Sequence, residues 1–449
     1  MNFRSYKYID FKKIIGLFIV ISISSCFLIA QENNVKDLQE PLTIEECIQF
    51  ALQNNPQIQN ATLNEAYVET TIKSKLSEWY PQVGLNYNLQ HNFLLSSTDF
   101  NGNVVQIGSE NTSGLLLNAT QTIFNQDVLF ASQSADDIRI ASQQQTSSQK
   151  IDLAVEVSKA FYNIILIEQQ NKVLAEDIIR NTQSVNDAYY QYQSGIVDKT
   201  DYKRATIALN NSKSQKVFIE ERLKSKKVYL KELMGYSGSD NITLAFDTVA
   251  MRNEIYIDTT HSVEYAQRIE IQQLETQRRL QQYNLSYFKW SFLPDVYAFG
   301  NYNLNYLNNQ FSEVYSTAYP SAYIGIGLSY PIFQGGKRTQ QIKGAEFLID
   351  QVDNDILSYQ YFINTEYQTA ISNYKASLNH YLSLEENLAL AQEVYDIIQL
   401  QYRSGVKAFL DVITAESDLK TAQINYYNAL YEVLSSKLDV EQALGNIKY

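Results

Sequence analysis

Apolar and polar positions alternate along QVGLNYNLQHNF, residues 82–93. The odd-numbered positions are apolar or aromatic except for one histidine, and the even-numbered positions are glycine or carry an amide. Alternation with a period of two is typical of a β-strand that has two different faces. The same alternation recurs further along the chain, so the pattern predicts four strands in all, at about 82–95, 113–124, 295–307 and 322–333.

The chemistry of the two faces favours a membrane sheet, although a soluble sheet with its polar face in water alternates in the same way. The polar face carries amides, hydroxyls and glycine, which suits a crowded aqueous lumen. Aromatic residues such as Trp79 and Trp290 precede strands, where an interfacial belt would lie. The lipid-facing residues are predicted to be Val83, Leu85, Tyr87, Leu89, Leu115, Leu117, Tyr302, Leu304, Ile324, Ile326 and Leu328. The lumen-facing residues are predicted to be Asn86, Asn88, Asn118, Thr120, Asn301, Asn303 and Asn305.

Helical periodicity fills most of the remaining chain. It predicts one helix from Leu42 to Trp79 and others at about 126–193, 199–234, 260–291, 336–403 and 408–443. Apolar residues on the long helices alternate steps of three and four, as in a coiled coil. A helix of 70 residues is about 100 Å long. Such a helix needs neighbours of similar length to cover its apolar stripe.

The sequence contains an internal duplication, with a repeat of about 210 residues. WYPQV at 79–83 recurs as FLPDV at 292–296, and YQYQSGIVDKTD at 190–201 recurs as LQYRSGVKAFLD at 400–411. Each copy has a helix, two strands and a long helical region with one break, near Gly195 or Gly405. The boundaries that follow are a signal peptide at 1–30, a first repeat at 31–235, a connector at 236–258 and a second repeat at 259–449.

The first thirty residues have the pattern of an export signal. Four cations lie before the apolar run IIGLFIVISIS at 14–24, which is too short to span a membrane, and Ala30 precedes a plausible cleavage point. In the alternative interpretation ISSC at 23–26 is a lipoprotein box and Cys26 is acylated. Cleavage after Ala30 leaves Cys47 as the one remaining cysteine, so no intrachain disulfide can form.

Four strands cannot close a barrel. An open sheet in hydrocarbon would leave the polar groups of its edges unpaired, at a cost of several kcal/mol each. Closure needs at least about eight strands. Two chains would give eight strands and a filled interior, whereas three would give twelve and room for a channel. The sequence therefore predicts an oligomer and favours a trimer.

The composition argues against several other classes of protein. A net charge of −13 does not suit a nucleic-acid ligand, which needs clustered Lys and Arg. The three histidines, His91, His261 and His380, are scattered and fall in no metal-ligand spacing. The chain contains no phosphate-binding loop, dinucleotide fingerprint or nucleophile elbow. We therefore predict no enzyme activity, no cofactor and no metal site.

The chain resembles the TolC family of outer-membrane efflux channels. The resemblance covers most of the mature chain and depends on TIEECIQFALQNNPQI at 43–58, the two strand pairs, the QSG and RSG turns, and the duplication. It implies an α+β membrane protein that forms a homotrimer, with a 12-stranded outer-membrane barrel continuous with a periplasmic helical barrel. It also implies two partners, a periplasmic adaptor and an inner-membrane transporter of the RND or ABC type, in tripartite efflux or type I secretion.

The resemblance assigns roles to the ends of the helical hairpins. The hairpin tips that would contact the adaptor are Ser194, Gly195, Ile196, Ser404, Gly405 and Val406. The residues that would close the periplasmic entrance are Thr200, Asp201, Tyr402, Lys407 and Asp411. Lys407 stands where the best-known member of the family has an arginine, and Thr414 where that member has a second aspartate, which leaves a single carboxylate ring from Asp411. Alternatively, Asp201 and Asp411 cap the helices that follow them.

Two other functions compete with an export channel. One is an outer-surface structural or adhesive coiled-coil protein whose strands are soluble. The other is a barrel enzyme such as a lipase or protease, for which the sequence lacks the catalytic residues. Among export channels the sequence does not identify the substrate, because a passive conduit makes few specific contacts with its cargo.

Overall fold

The computed structural model describes residues 41–196, 198–238, 241–245, 248–259 and 263–448. The predicted signal peptide, Cys26 and His261 lie outside these residues. In the first half of the described chain the elements are α1 (Ile44–Asn54), α2 (Pro56–Leu76), β1 (Gln82–His91), β2 (Ser96–Phe100), β3 (Asn103–Ile107), β4 (Asn111–Phe124), α3 (Gln126–Gln193) and α4 (Lys199–Met234). In the second half they are α5 (Thr248–Glu254), α6 (Ile269–Trp290), β5 (Asp295–Asn308), β6 (Ala318–Ser329), α7 (Lys337–Arg403) and α8 (Phe409–Leu444).

The two halves repeat the same order of elements. The long helices α3 and α7 have 68 and 67 residues, and α4 and α8 have 36 residues each. Each long helix pairs with the helix that follows it, so the chain contains two antiparallel helical hairpins, α3–α4 and α7–α8. The helices α3 and α8 also contact each other and join the two hairpins. The predicted duplication is therefore confirmed in three dimensions.

The first predicted helix, from Leu42 to Trp79, is in fact two helices. Asn55 ends α1 and is also the N-cap of α2, where its side-chain oxygen accepts a hydrogen bond from the Gln57 amide at 2.8 Å. Pro56 occupies the first position of α2. Proline is tolerated there because that position needs no intrahelical donor, but it cannot continue the preceding helix. The Asn-Pro pair therefore sets the break.

A four-stranded antiparallel sheet combines both halves in the order β1–β4–β5–β6. Strands β4 and β5 come from different repeats and pair along most of their length, from Asn111 opposite Asn308 to Phe124 opposite Val296. The ladder has one irregularity, between Thr122 and Phe124. Strands β1 and β6 are the two outer strands, and each presents one unpaired edge. The four predicted strands are thus present in a single sheet.

Two features of the strands differ from the prediction. The first strand ends at His91, and residues 96–107 form a separate hairpin, β2–β3. Asn101 and Gly102 close that hairpin with φ of 54° and 82°, the left-handed pair that a tight two-residue turn needs. The last strand spans Ala318–Ser329, about four residues earlier than predicted, because its start pairs with Tyr306 near the end of β5.

The start of the fourth predicted helix, at about 260–291, also moves. Helix α6 begins at Ile269, not at residue 260, and a short 3₁₀ turn at Tyr265–Gln267 precedes it. The main apolar core lies where α1, the middle of α3 and the ends of α4 and α8 meet, and includes Cys47, Ile164, Met234 and Val433. None of the helices in the described ranges contains a segment long and apolar enough to cross a membrane.

Candidate functional site

The register of the sheet places all eleven predicted lipid-facing residues on one side. Residues directly opposite each other in neighbouring strands share a face. Leu85 lies opposite Leu117, Leu117 opposite Tyr302, and Gly300 in the next row opposite Ile324. We call this side the apolar face; it consists of Val83, Leu85, Tyr87, Leu89, Leu115, Leu117, Tyr302, Leu304, Ile324, Ile326 and Leu328. Its contact with lipid stays a prediction.

The other side of the sheet, the amide face, carries all seven predicted lumen-facing residues, Asn86, Asn88, Asn118, Thr120, Asn301, Asn303 and Asn305. Asn86 donates a hydrogen bond from Nδ2 to Oδ1 of Asn118 at 3.1 Å. Glycine leaves room for such amides. A Cβ built on Gly114 would lie 2.5 Å from Oδ1 of Asn88, and one on Gly84 would lie 2.8 Å from Oδ1 of Asn118. The small residues therefore let the amide side chains lie across the sheet.

Three aromatic residues also lie on the amide face, at the end of the sheet near the helices. Tyr297 is opposite Gly327, Phe299 is opposite Gly325, and Tyr323 is opposite Asn301. The ring centroids of Tyr297 and Phe299 are 6.0 Å apart, and those of Phe299 and Tyr323 are 6.2 Å apart. The predicted lumen-facing set omitted these rings, although the alternation in 295–307 already put two of them on the polar side.

Each helical hairpin turns through the same backbone motif. Gly195 has φ of 73° and Gly405 has φ of 77°, a conformation that favours glycine. The Ile196 amide donates to the Gln191 carbonyl, and the Val406 amide donates to the Gln401 carbonyl, both at 2.9 Å. Ile196 and Val406 are each 73% exposed. Both tips therefore present an apolar side chain to solvent on a rigid turn.

Asp198, not Asp201, caps α4. The Asp198 carboxylate accepts from the amide of Thr200 at 2.9 Å and from its hydroxyl at 3.0 Å. These hydrogen bonds hold the pKa of Asp198 below its ordinary value. In the second repeat Ala408 stands at the N-cap and cannot cap through its side chain. Asp411 instead accepts from the Ala408 amide at 3.1 Å, so the capping alternative holds for Asp411 and is wrong for Asp201.

Tyr402 joins the two hairpins within one chain. Its hydroxyl donates to Oε1 of Gln191 at 3.1 Å, and its ring lies 5.9 Å from the ring of Phe409. Burial, together with the nearby carboxylates of Asp187 and Asp201, raises the pKa of Tyr402. Gln191 lies in the repeated motif YQYQSG but was not among the predicted site residues. Lys407 is exposed, and Thr414 donates from its hydroxyl to the Leu410 carbonyl of its own helix.

A buried group of charged side chains lies further from the tips, between the two hairpins. Asp177 is 1% exposed and accepts from the hydroxyl of Ser212 at 2.5 Å, with Nζ of Lys420 at 3.6 Å. Glu416 is 4% exposed and its Oε2 has no hydrogen-bond partner among the described residues. Burial raises the pKa of Glu416 to about 7, opposed by the positive charge of Arg180 and reinforced by the negative charge of Asp177.

The contact between the hairpins is therefore expected to weaken as the pH rises. A carboxyl group whose pKa rises on folding binds its proton more tightly in the folded state, so stability is lost as pH increases. The loss is expected between the ordinary pKa of 4.5 and about 7, and no further loss from this group above that range. Hydrogen exchange of the α8 amides around Glu416, measured at several pH values, would report this loss of stability.

Glu416→Gln is the matched variant for this prediction. The amide is nearly the same size and does not titrate, so the variant should exchange at a rate that no longer changes over this pH range beyond the intrinsic pH dependence. The wild-type protein should exchange as slowly as the variant only at low pH, where Glu416 is protonated. An equal pH response in both proteins would show that another group controls the contact.

Comparisons with known proteins agree with this architecture. The family model described as outer membrane efflux protein matches residues 47–236 and 262–446. The outer membrane protein TolC of Vibrio cholerae is 20% identical over 97% of this chain and 96% of its own length. TolC of Escherichia coli is 21% identical over 97% and 87%. The crystal structure of the Campylobacter jejuni CmeC outer membrane channel covers 90% of this chain and 85% of its own, with a TM-score of 0.71 at 16% identity.

Proposed function

The chain belongs to the outer membrane efflux protein family, and we propose that three copies of it form a passive export duct. The duct combines a 12-stranded barrel in the outer membrane with a helical barrel in the periplasm. The observation that carries the proposal is the four-stranded sheet with two unpaired edges and two chemically distinct faces. The adhesive alternative finds no support among the relatives.

The edges of the sheet support closure by further copies. Strand β1 of one chain would pair with β6 of the next, which satisfies backbone groups that hydrocarbon would leave unpaired. In the closed ring the apolar face would contact lipid and the amide face would line the lumen. Leu85 on β1 and Ile324 on β6, the two edge strands, are 65% and 92% exposed in the single chain. Contact with lipid would cover this apolar face.

A second apolar stripe on α7 supports the same assembly. Residues of α7 at coiled-coil spacing, such as Tyr395 and Tyr402, are at least half-buried within the chain. Leu390, Val394, Ile397 and Leu400 follow at steps of four, three and three, and they are between 46% and 67% exposed. A helix with two apolar stripes is suited to contacts with neighbours on two sides. The second neighbour in this proposal is a helix of the adjacent copy.

The hairpin tips are proposed as the contact with the periplasmic adaptor. Ile196 and Val406 project from two structurally equivalent turns, flanked by Ser194 and Ser404. Three copies would present six such turns in one ring. An inner-membrane transporter of the RND or ABC type would supply the energy, since a passive duct supplies none, and the adaptor would join the two proteins.

The entrance is proposed to lie just inside these tips. Asp411 is partly buried at the start of α8, and Lys407 precedes it on the exposed side of the turn. Three Asp411 carboxylates around a narrow opening would attract cations and repel each other. Lys407 can neutralise part of that charge as a point charge, without the bidentate geometry of arginine.

Asp411→Asn is expected to weaken block of the open channel by divalent cations. The asparagine keeps a side-chain oxygen for the Ala408 amide, so it removes charge and preserves the helix cap. Single-channel recordings in planar bilayers, with Mg²⁺ added on the side of the helical domain, would measure the half-blocking concentration. A rise of several-fold is expected, since three charges leave the opening.

Asp198→Asn is the matched control. It removes one carboxylate from the corresponding turn of the first hairpin and keeps the cap, and Mg²⁺ block should change little. Equal changes in both variants would contradict a special role for Asp411. A purified protein that gives no conductance at all would overturn the proposed function itself.

A further inference from the structure

We propose that the three rings Tyr297, Phe299 and Tyr323 form a binding site for planar organic cations inside the lumen. We call this group the aromatic ladder. The inference rests on the proposed function, because it needs the amide face to line a lumen. The aromatic ladder would bind one chemical class of ligand, whereas the carboxylates at the entrance would attract any cation.

Glycines leave room for two rings of the ladder to lie over β6. A Cβ built on Gly325 would lie 2.7 Å from Cζ of Phe299 and 3.2 Å from two further ring atoms, and one on Gly327 would collide with the ring of Tyr297. The rings therefore cover the backbone of β6 where side chains would otherwise stand. The planes of Tyr297 and Phe299 are tilted by 43° to each other, and the rings of Phe299 and Tyr323 stand nearly perpendicular at 78°, so the ladder turns π faces in more than one direction.

A carboxylate lies on the same face of the sheet as the ladder. Asp295 precedes Tyr297 by two residues in β5, so the two side chains share a side of the sheet. Its Oδ1 accepts from Nδ2 of Asn125 at 3.1 Å. Within the described ranges no lysine or arginine lies within ion-pair distance of it, although Lys337 lines the same cleft. The negative charge of Asp295 is thus only partly compensated.

The aromatic rings and the carboxylate together define the class of ligand. A cation over the face of an aromatic ring is attracted by the ring quadrupole, and a planar ligand also stacks on it. A flat aromatic cation can stack on Tyr297 or Phe299, the two rings nearer to Asp295 along β5, and turn its charge towards Asp295. A neutral ligand of the same shape would keep the stacking and lose the attraction to Asp295. In the trimer the lumen would contain three such sites.

Bilayer recordings with N-methylquinolinium as the probe test the inference. Quinoline, which is nearly isosteric and uncharged at pH 8, is the matched neutral ligand. All recordings use the Asp411→Asn background, so that cation binding at the entrance does not contribute. Transient block by N-methylquinolinium is expected, and quinoline should block at least several-fold more weakly.

Two variants separate the two interactions. Phe299→Leu keeps an apolar side chain and removes the π face, and Asp295→Asn keeps a partner for Asn125 and removes the charge. Each should raise the half-blocking concentration of N-methylquinolinium, by between about twofold and thirtyfold. Asp295→Asn should leave quinoline block unchanged.

The outcomes distinguish the inference from the proposed function. A channel that conducts normally but is not blocked by N-methylquinolinium, or whose block is unaffected by either variant, overturns the aromatic ladder as a site and leaves the duct intact. Equal block by quinoline overturns the requirement for a cation. Loss of assembly in Phe299→Leu leaves Asp295→Asn, an isosteric change, to decide.

Discussion

Replacing Leu85 with arginine is expected to prevent assembly in the membrane. Leu85 lies near the middle of β1, on the apolar face, opposite Leu117. In the proposed barrel its side chain points into the hydrocarbon, and an arginine at the bilayer midplane costs about 2–4 kcal/mol. Each trimer carries three such residues, so this free-energy cost applies three times per trimer. Detergent extracts of the outer membrane should contain little or no trimer.

Asn86→Arg is the control for this prediction, because it introduces the same side chain one position away. Asn86 lies on the amide face, where its Nδ2 donates to Asn118 at 3.1 Å. Loss of that hydrogen bond costs about 0.5–1.5 kcal/mol, and the guanidinium reaches water in the lumen. The variant should assemble and conduct with altered ion selectivity. If both variants assemble equally well, or both fail, the assignment of the two faces is wrong.

Arg268→Met is expected to give the second large effect, on folding. Arg268 is 3% exposed and is the N-cap residue of α6. It donates from Nε and Nη2 to Glu270 at 3.0 and 2.9 Å, and from Nη1 to Glu366 and to the Ala443 carbonyl at 2.8 Å. This one side chain therefore connects the start of α6 with α7 and the end of α8. Removing one partner from a buried ion pair costs about 3–5 kcal/mol.

The measurement is the free energy of unfolding in denaturant, followed by circular dichroism of the helices. Arg278→Met, in the same helix, is the matched control. Its Nε lies 2.7 Å from Asp353, but both side chains are about 40% exposed, and an exposed pair contributes less than about 1 kcal/mol. A loss for Arg278→Met as large as that for Arg268→Met would show that burial does not set the cost.

The elements that the sequence predicted best are those with local signals at both ends. The bounds of α3 and α4 agree with the prediction. Asn125 caps α3 with its side chain, and the glycines at 195 and 235 end the two helices in left-handed backbone. These signals lie within a few residues of each boundary, so they can be recognised without tertiary information. The same local information was present for the β2–β3 hairpin, whose Asn101–Gly102 turn went unrecognised.

The faces of the sheet were predictable, whereas contacts between the hairpins were not. Period-two alternation fixes which residues share a face once strands exist, and the register agrees with it. The bond between Tyr402 and Gln191 depends on how two hairpins from different repeats align. The buried group around Asp177 and Glu416 draws on α3, α4 and α8. No spacing within one helix reveals such a group, because its members are brought together only by packing.

The mass of the detergent-solubilised protein tests the central claim most directly. The claim is that the sheet of one chain is one part of a β-barrel, which closes only when identical chains add their sheets. Light scattering coupled to size-exclusion chromatography, corrected for bound detergent, should give a particle of three chains extracted from the outer membrane. A single chain that stays in solution without detergent would contradict the account.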